Sequence, residues 1–364
     1  MFSFEPSQEQ KMLIEAVNRF AQNDLRPKAH DADEDANLPA DLVETGWELG
    51  VLQASMPEKY GGFGEYSVVT SVLAAEELAW GDLAGALAIS TPGLFAMPIF
   101  LVGNEDQKQR YLPAITESEW MPYTAALIEP DFDYDAHDLR TSVVEDGDDF
   151  VINGEKAYVP FAEDAQGMIL YANFNGETQG FILPGEIEGT EVVERMKLLG
   201  IYALPVYKVK FENLRIPKEN RLGGPGGHDF SPVFDASCVG LAAMAVGMSR
   251  AALEYAVDYA REREVFGVKV AQKQAIAFML AEMATEIEAI RLLVWEAAWM
   301  LDQEHPEASK TAYLALTGAA DMAMMVTDRA VQVLGGHGYI REHPVEMWMR
   351  NGRGIAMMNG LAIV

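Results

Sequence analysis

The feature that most constrains the fold is a change of hydrophobic period along the chain. Ile276, Met279, Leu280, Met283, Ile287 and Ile290 recur at i, i+3, i+4 and i+7, which places them on one face of a long helix. Similar stripes run through Leu241 to Tyr259 and Thr311 to Val333. Helices of this length joined by modest connections predict an antiparallel bundle. From Ser7 to about Lys108 the period is also helical: Ser7 with Gln10 reads as a capping box, and Met12, Leu13, Ala16, Val17 and Phe20 share a face. A second amphipathic segment surrounds Leu42, Trp47 and Leu49. Between about Glu119 and Asn220 the period is that of strands. Val151-Ile152, Ala157 to Val159, Met168 to Tyr171, Phe181 to Leu183 and Val206 to Phe211 are the candidates. Asp146-Gly147, Asn153-Gly154 and Asn175-Gly176 read as the turns between them. The expected order is an N-terminal helical domain (1–120), a small antiparallel sheet or barrel (121–228) and a C-terminal helical bundle (229–364).

Composition narrows the function classes. A formal charge of -29 argues against a nucleic-acid binder or a protein of anionic lipid surfaces. It leaves room for an anionic ligand, since a few local arginines suffice. The single cysteine, Cys238, rules out an internal disulfide framework and fits a reducing compartment. The first residues lack the pattern of a signal or transit peptide, and no uninterrupted apolar run approaches a bilayer span, so the expected location is cytoplasmic. The six histidines show no metal-ligand spacing, and no metal is expected. Methionines such as Met244, Met248, Met322, Met324 and Met325 read as core.

Near the end stands Gln332-Val333-Leu334-Gly335-Gly336-His337-Gly338-Tyr339, running on through Glu342-His343-Pro344-Val345-Glu346 to Arg350. Gly-Gly-x-Gly by itself is a helix C-cap and a loop. The whole string resembles the C-terminal signature of the acyl-CoA dehydrogenase family (Q-x-x-G-G-x-G-[YF]-x-x-E-x-P-V-E, then an arginine). Pro57 to Gly64 resembles the family's P-x-x-Y-G-G-x-G loop, and Gly103 to Pro113 another family landmark. Both are expected to be structural. The likeness covers nearly the whole chain and implies the family fold: a helical domain, a middle β-domain and a C-terminal four-helix bundle.

It also implies a reaction. A carboxylate takes the α-proton of an acyl-CoA, the β-hydrogen leaves as hydride to FAD, and an electron-transfer flavoprotein reoxidises the cofactor. In the family the adenine and pyrophosphate end of each FAD is gripped by the neighbouring subunit. Arg261 to Gly267 resembles the family's R-x-x-F-G, which makes Arg263 the pyrophosphate arginine with Phe266 beside it. Gln274, Gln332 and Gly336 complete that implied set. A guanidinium suits a pyrophosphate because its planar fork gives paired charge-assisted hydrogen bonds. The plain alternative for Arg263 is a solvated helix-end residue paired with Glu262 or Glu264.

The ring-binding positions depart from the pattern. The family's T-E-P is Ile128-Glu129-Pro130, and its A-G-S-D is Phe132-Asp133-Tyr134-Asp135, with Thr141 in register downstream. W-I-T-N is Tyr158-Val159-Pro160-Phe161, and G-x-R-x-S is Gly200-Ile201-Tyr202-Ala203-Leu204. Pro160 has neither N–H nor hydroxyl to offer a flavin, and Asp133 adds negative charge where the family has glycine. The family's base glutamate is Asn359, followed by Gly360 and Leu361, and the alternative base position on the first bundle helix is Ser237, followed by Cys238. Asp235 is expected to point elsewhere, Cys238 to be a small buried residue, and Glu342 and Glu346 to be surface charges. No catalytic residue is assigned.

Three readings follow. The chain is a degenerate subunit of a heteromeric acyl-CoA dehydrogenase, a kind of assembly the family uses for bulky acyl-CoAs such as steroid side chains. Its partners are then a related intact subunit, an acyl-CoA and an electron-transfer flavoprotein. Alternatively it is a self-sufficient dehydrogenase with a relocated base, or a non-enzymatic CoA-binding or interaction protein on the same fold.

Overall fold

The computed structural model describes residues 5–185 and 188–364. Eight helices come first: α1 Gln8–Phe20, α2 Arg26–Asp35, α3 Ala40–Trp47, α4 Val51–Ala54, α5 Val68–Gly81, α6 Leu83–Ser90, α7 Gly93–Val102 and α8 Glu105–Thr116. Ser7 caps α1 as its sequence predicts, its Oγ accepting from the Gln10 N–H at 3.2 Å while Gln10 Oε1 accepts from the Ser7 N–H at 2.8 Å. The buried face of α1 carries Val17 and Phe20, but Met12 is 64% exposed, so the apolar stripe is narrower than the spacing implied. The Pro57 to Gly64 loop is structural: a Cβ on Gly62 or Gly64 would lie 2.0 Å from Met56 O or 1.9 Å from Ala54 O.

The middle strands are β1 Tyr123–Ala126, β2 Ser142–Asp146, β3 Asp149–Pro160, β4 Gly167–Phe174, β5 Glu177–Leu183, β6 Thr190–Arg195 and β7 Val206–Pro217. They form one sheet in the order β1-β4-β2-β3-β7-β6, with β5 also on β4. The sheet is mixed: β1 runs parallel to β4, and β2 touches β4 in parallel through Ser142 and Asn173. Asp146-Gly147 and Asn175-Gly176 lie at hairpin ends, as expected. Asn153-Gly154 does not turn the chain. It lies inside the unbroken β3, at a register shift against β7, where Asn153 Oδ1 accepts from the Asn213 N–H at 2.8 Å. A turn dipeptide and a bulge share the same local preference, and only the partner strand distinguishes them.

The last part holds α9 Ser231–Glu262, a hairpin of β8 Glu264–Val265 and β9 Val268–Lys269, then α10 Gln274–Asp302, α11 Ala308–Leu334 and α12 Val345–Gly354. Helix α9 packs against α5, α10 and α11. It contains a window with mean hydropathy 1.5, long and apolar enough to cross a membrane by composition, but 89% of that window is buried inside the fold. Such uniform apolarity marks a helix covered on every side. At Gly247 the α5 and α9 backbones meet: a Cβ there would stand 1.9 Å from Glu76 O. Across this crossing the Glu76 carboxylate accepts from Arg250 at 2.5 Å and from Arg291 at 3.0 Å, joining α5, α9 and α10.

The sheet has its own buried ion pair. Lys156 Nζ donates to Glu129 Oε1 and to Leu127 O, both at 2.9 Å, with Lys156 fully buried. Burial lowers the Lys156 ammonium to about 8, against the pull of Glu129. Burial alone would raise the Glu129 carboxyl, but Lys156 and the N–H groups of Arg140 and Thr141 hold it below the ordinary range. Removing one partner leaves an uncompensated buried charge. Lys156→Ala is expected to lower stability by about 3–5 kcal/mol in chemical unfolding, whereas Lys156→Met with Glu129→Gln stays much closer to wild type.

Candidate active site

Ser237 lies on the second turn of α9, and Asn359 follows α12 in the chain, yet the fold brings these two positions together. Ser237 Oγ accepts from the Gly360 N–H at 3.1 Å, and the Cys238 thiol lies 3.8 Å from Asn359 Oδ1. Ser237 and Gly360 border a small cavity of about 20 Å³ with Leu127, Tyr171, Phe234 and Ile363. A larger neighbour of about 50 Å³ lies among Trp47, Leu78, Met97, Met244, Ile363 and Val364. Neither cavity is lined by an aspartate, glutamate, lysine or histidine. Burial pushes the Cys238 thiol up to about 12, with Asp235 adding to the shift, so at neutral pH it is a neutral packing group. Asp235 turns away: Ser309 of α11 donates to its carboxylate at 2.5 Å, and burial raises its affinity for a proton.

On the sheet side, polar groups are committed to the protein itself. Ile128 is buried, and Glu129 is occupied by Lys156, Arg140 N–H and Thr141 N–H. Thr141 Oγ1 donates to Glu155 O at 3.4 Å. Tyr158 has φ +56, and its N–H points to Met196 Sδ at 3.1 Å. Pro160 is buried, and Phe161 packs edge-on to Trp120 at 5.0 Å while donating its N–H to Pro205 O. The Ile201 N–H is taken by Asn351 Oδ1 at 2.6 Å. Asp133 does not stand as a lone charge, as its sequence suggests. With Asp131 it grips Arg140, at 2.7 and 2.6 Å. The Tyr134 hydroxyl is buried and has no hydrogen-bond partner among the described residues.

A second locus lies at the other end of α9. The helix stops at Glu262, and the β8–β9 hairpin turns through Phe266 (φ +56) and Gly267 (φ +79), leaving Phe266 93% exposed. Helix α11 ends at Gly335 (φ +60), a conformation glycine adopts freely, and the backbone continues in a 3₁₀ turn. Between them is an open cleft of about 670 Å³ bordered by Arg263, Phe266, Lys273, Gly336, Tyr259 and His337. Gln274, the first residue of α10, and Gln332, on the last turn of α11, are exposed beside residues that line it. The pairing of Arg263 with Glu262 or Glu264 does not occur. Lys269 takes Glu264 at 3.1 Å and the Glu262 carbonyl at 2.8 Å, and Arg263 has no ion pair among the described residues. The cleft therefore presents two cations, Arg263 and Lys273, the rings of Phe266, Tyr259 and His337, and two glycines, with no acid in its lining. That donor set suits a phosphorylated ligand with a flat ring.

Sequence reasoning missed Lys273, Tyr259 and His337. Lys273 precedes Gln274 and its ammonium lies 5.6 Å from the Phe266 ring, so its place beside that motif was the available signal. Tyr259 meets His337 Nδ1 at 2.9 Å, a contact between residues 78 apart that nothing local announces. Arg350, which closes the motif, is structural. It is buried against Asp33 at 2.6 Å and Glu346 at 2.8 Å, and Glu346 is thereby a half-buried partner and not a surface charge. No group of histidine, cysteine and acid side chains suited to a metal occurs among the described residues.

Comparison with known proteins agrees with this architecture. Residues 7–119 match the model of the acyl-CoA dehydrogenase N-terminal domain, and residues 228–362 that of the acyl-CoA dehydrogenase C-terminal domain. A probable acyl-CoA dehydrogenase of Bacillus subtilis (strain 168) is 33% identical over 362 residues, covering 96% of this chain and 94% of the relative. The mitochondrial short-chain specific acyl-CoA dehydrogenase of Bos taurus is 33% identical, covering 96% of this chain and 86% of the relative. Butyryl-CoA dehydrogenase from Megasphaera elsdenii superposes with a TM-score of 0.89 at 30% identity, over 100% of this chain and 96% of that one. With matches of this extent in sequence and in its helix–sheet–helix order, the chain belongs to the acyl-CoA dehydrogenase family of FAD-dependent oxidoreductases.

Proposed function

We propose that this chain is the non-catalytic subunit of a heteromeric acyl-CoA dehydrogenase, located in the cytoplasm. In this reading it completes the FAD site of an intact partner and performs no dehydrogenation itself. The observation that carries it is the contrast between the two ends of α9. At one end Ser237 and Cys238 meet Gly360 and Asn359 beside cavities without a carboxylate. At the other, Arg263 and Lys273 stand unneutralised in an open cleft.

The two halves of FAD meet different surroundings on this chain. The cleft fits the tail: Arg263 and Lys273 supply positive charge for a pyrophosphate, Phe266 offers a ring face, and Gln274 and Gln332 carry free amides. The sheet side does not fit the ring. Its threonine positions are Ile128 and Pro160, and its remaining donors are spent on Glu155, Met196, Pro205 and Asn351, with the Tyr134 hydroxyl as an isolated exception. From Ser237 to the end of α9 is roughly 38 Å at about 1.5 Å per residue, so the cleft and the base positions stand well apart on this chain. The cleft therefore serves a flavin whose ring lies in another subunit. FAD, when bound, supplies the hydride acceptor. This chain's part is to neutralise and orient its phosphates, with the acyl-CoA, the base and the electron-transfer flavoprotein contact on the partner. A bulky acyl-CoA of the steroid side-chain kind is the expected substrate class.

Expressed alone, the chain should purify with far less than one FAD per polypeptide and without dehydrogenase activity. Coexpressed with an intact paralogue it should give a yellow complex with about half as many flavins as chains, read by absorbance against total protein. A fully flavinylated, active homo-oligomer would favour the relocated-base reading instead. In the complex, Arg263→Ala should weaken FAD retention about tenfold to a hundredfold, the worth of a charge-assisted contact. Asn359→Glu alone should restore no turnover to the isolated chain, since a base without a seated ring has no hydride acceptor. Measurable activity from that variant would refute the account of the sheet side.

A further inference from the structure

The two apolar cavities beside Ser237 are separated by a short piece of this chain. Ile363 borders both of them, and Val364 borders the larger. Leu361, Ala362, Ile363 and Val364 are all buried although they belong to no helix or strand. One glycine makes room for them: a Cβ on Gly240 of α9 would press on Val364 Cγ1 at 3.0 Å. The segment is lightly held. Ser237 Oγ accepts from the Gly360 N–H, the Leu361 N–H returns to Met358 O at 2.9 Å, and Tyr66 donates its hydroxyl to Val364 O at 3.1 Å. The N–H groups of Ala362, Ile363 and Val364 find no acceptor among the described residues. Buried backbone without partners is costly, so this stretch is far less secure than the helices around it.

We propose that Leu361–Val364 is a plug seated in one continuous apolar channel that runs from Ser237 and Gly360 to Trp47 and Leu78, and that the channel is shaped to take an acyl chain. The occupant is inferred from the lining. Along its length the walls are mostly aliphatic or aromatic and carry no charged side chain, and of the few hydroxyls those of Ser55 and Ser71 are satisfied by each other and by Val51 O and Ser67 O. Such a channel offers burial to a hydrocarbon and no partner to a charged group. Ile363 and Val364 supply that hydrocarbon from within, so an acyl group enters only by displacing them. This rests on the family reading for the nature of the ligand, and it adds a reason beyond the missing carboxylate for this subunit to leave substrate to its partner.

The test is binding of octanoic acid and of octanoyl-CoA to the full chain by calorimetry, for wild type and for Ile363→Ala with Val364→Ala. Folding is checked by circular dichroism, and Met357→Ala, an exposed neighbour, serves as the control. The double variant should bind octanoic acid at least tenfold more tightly than wild type and the control. Should that variant not fold, Ile363→Val, which removes one methyl group from the plug, and Tyr66→Phe, which removes its hydroxyl tether, are read in its place, each with a rise of at least threefold. Folded variants that bind no better than wild type, or a wild type that already binds octanoic acid as tightly, would overturn the plug. Improved binding of octanoic acid without binding of octanoyl-CoA would keep the plug and sink the acyl-CoA reading of this site.

Discussion

The structure depends on one crossing, that of α5 and α9 at Gly247. There the two backbones touch, and the Glu76 carboxylate is sealed between Arg250 and Arg291. Burial raises the Glu76 carboxyl while the two guanidiniums pull it down, and the balance leaves it above its ordinary value. A charge so placed is tolerated only where its partners are fixed, so the pair says less about stability than about geometry. It sets the depth at which α9 lies under α5 and the angle at which α10 joins them. Asp302, at the far end of α10, reinforces this by accepting from the Val68 and Val69 N–H groups that open α5.

Because α9 is 32 residues long and its first two-thirds are buried, the residues at its two ends are placed by the same crossing. The N-terminal end carries Ser237 to the Asn359–Gly360 turn, and the C-terminal end presents Arg263 to solvent. The interior end has the character of a packed core: neutral thiol, aliphatic walls, and carboxylates turned outward or paired. The exterior end has the opposite character, with two cations and an aromatic ring exposed and no acid to satisfy them. Glu76, Glu129 and Asp33 are buried in tight ion pairs, whereas Arg263 and Lys273 line a cleft that carries no acid. That contrast is physical and does not depend on ancestry.

The segment beyond Gly360 bears on the same contrast. A helix would have satisfied its own backbone. An irregular segment of four apolar residues instead trades hydrogen bonds for burial, and it lies close against α9 where Gly240 lacks a side chain. The space between α5, α7 and α9 is thus filled from within the chain.

Much was legible in the sequence. Periodicity alone gave the three-part order, because apolar stripes report a helix's buried face whatever it packs against, and the Ser7–Gln10 cap is local. The family motifs singled out Arg263, Phe266 and Gly336, which share one cleft, and Ser237 and Asn359, whose neighbourhoods come together through Gly360 and Cys238. Other features required the folded chain. Asn153-Gly154 became a bulge because β7 lies alongside it, and β1 found a parallel partner 44 residues away in register with Gly167. The Asp33–Arg350 pair, the Tyr259–His337 contact and the seating of Ile363 between two cavities join residues remote in sequence. Local propensity fixes what a segment can be; which charges are neutralised, and which apolar residue fills which space, is decided only when distant segments meet.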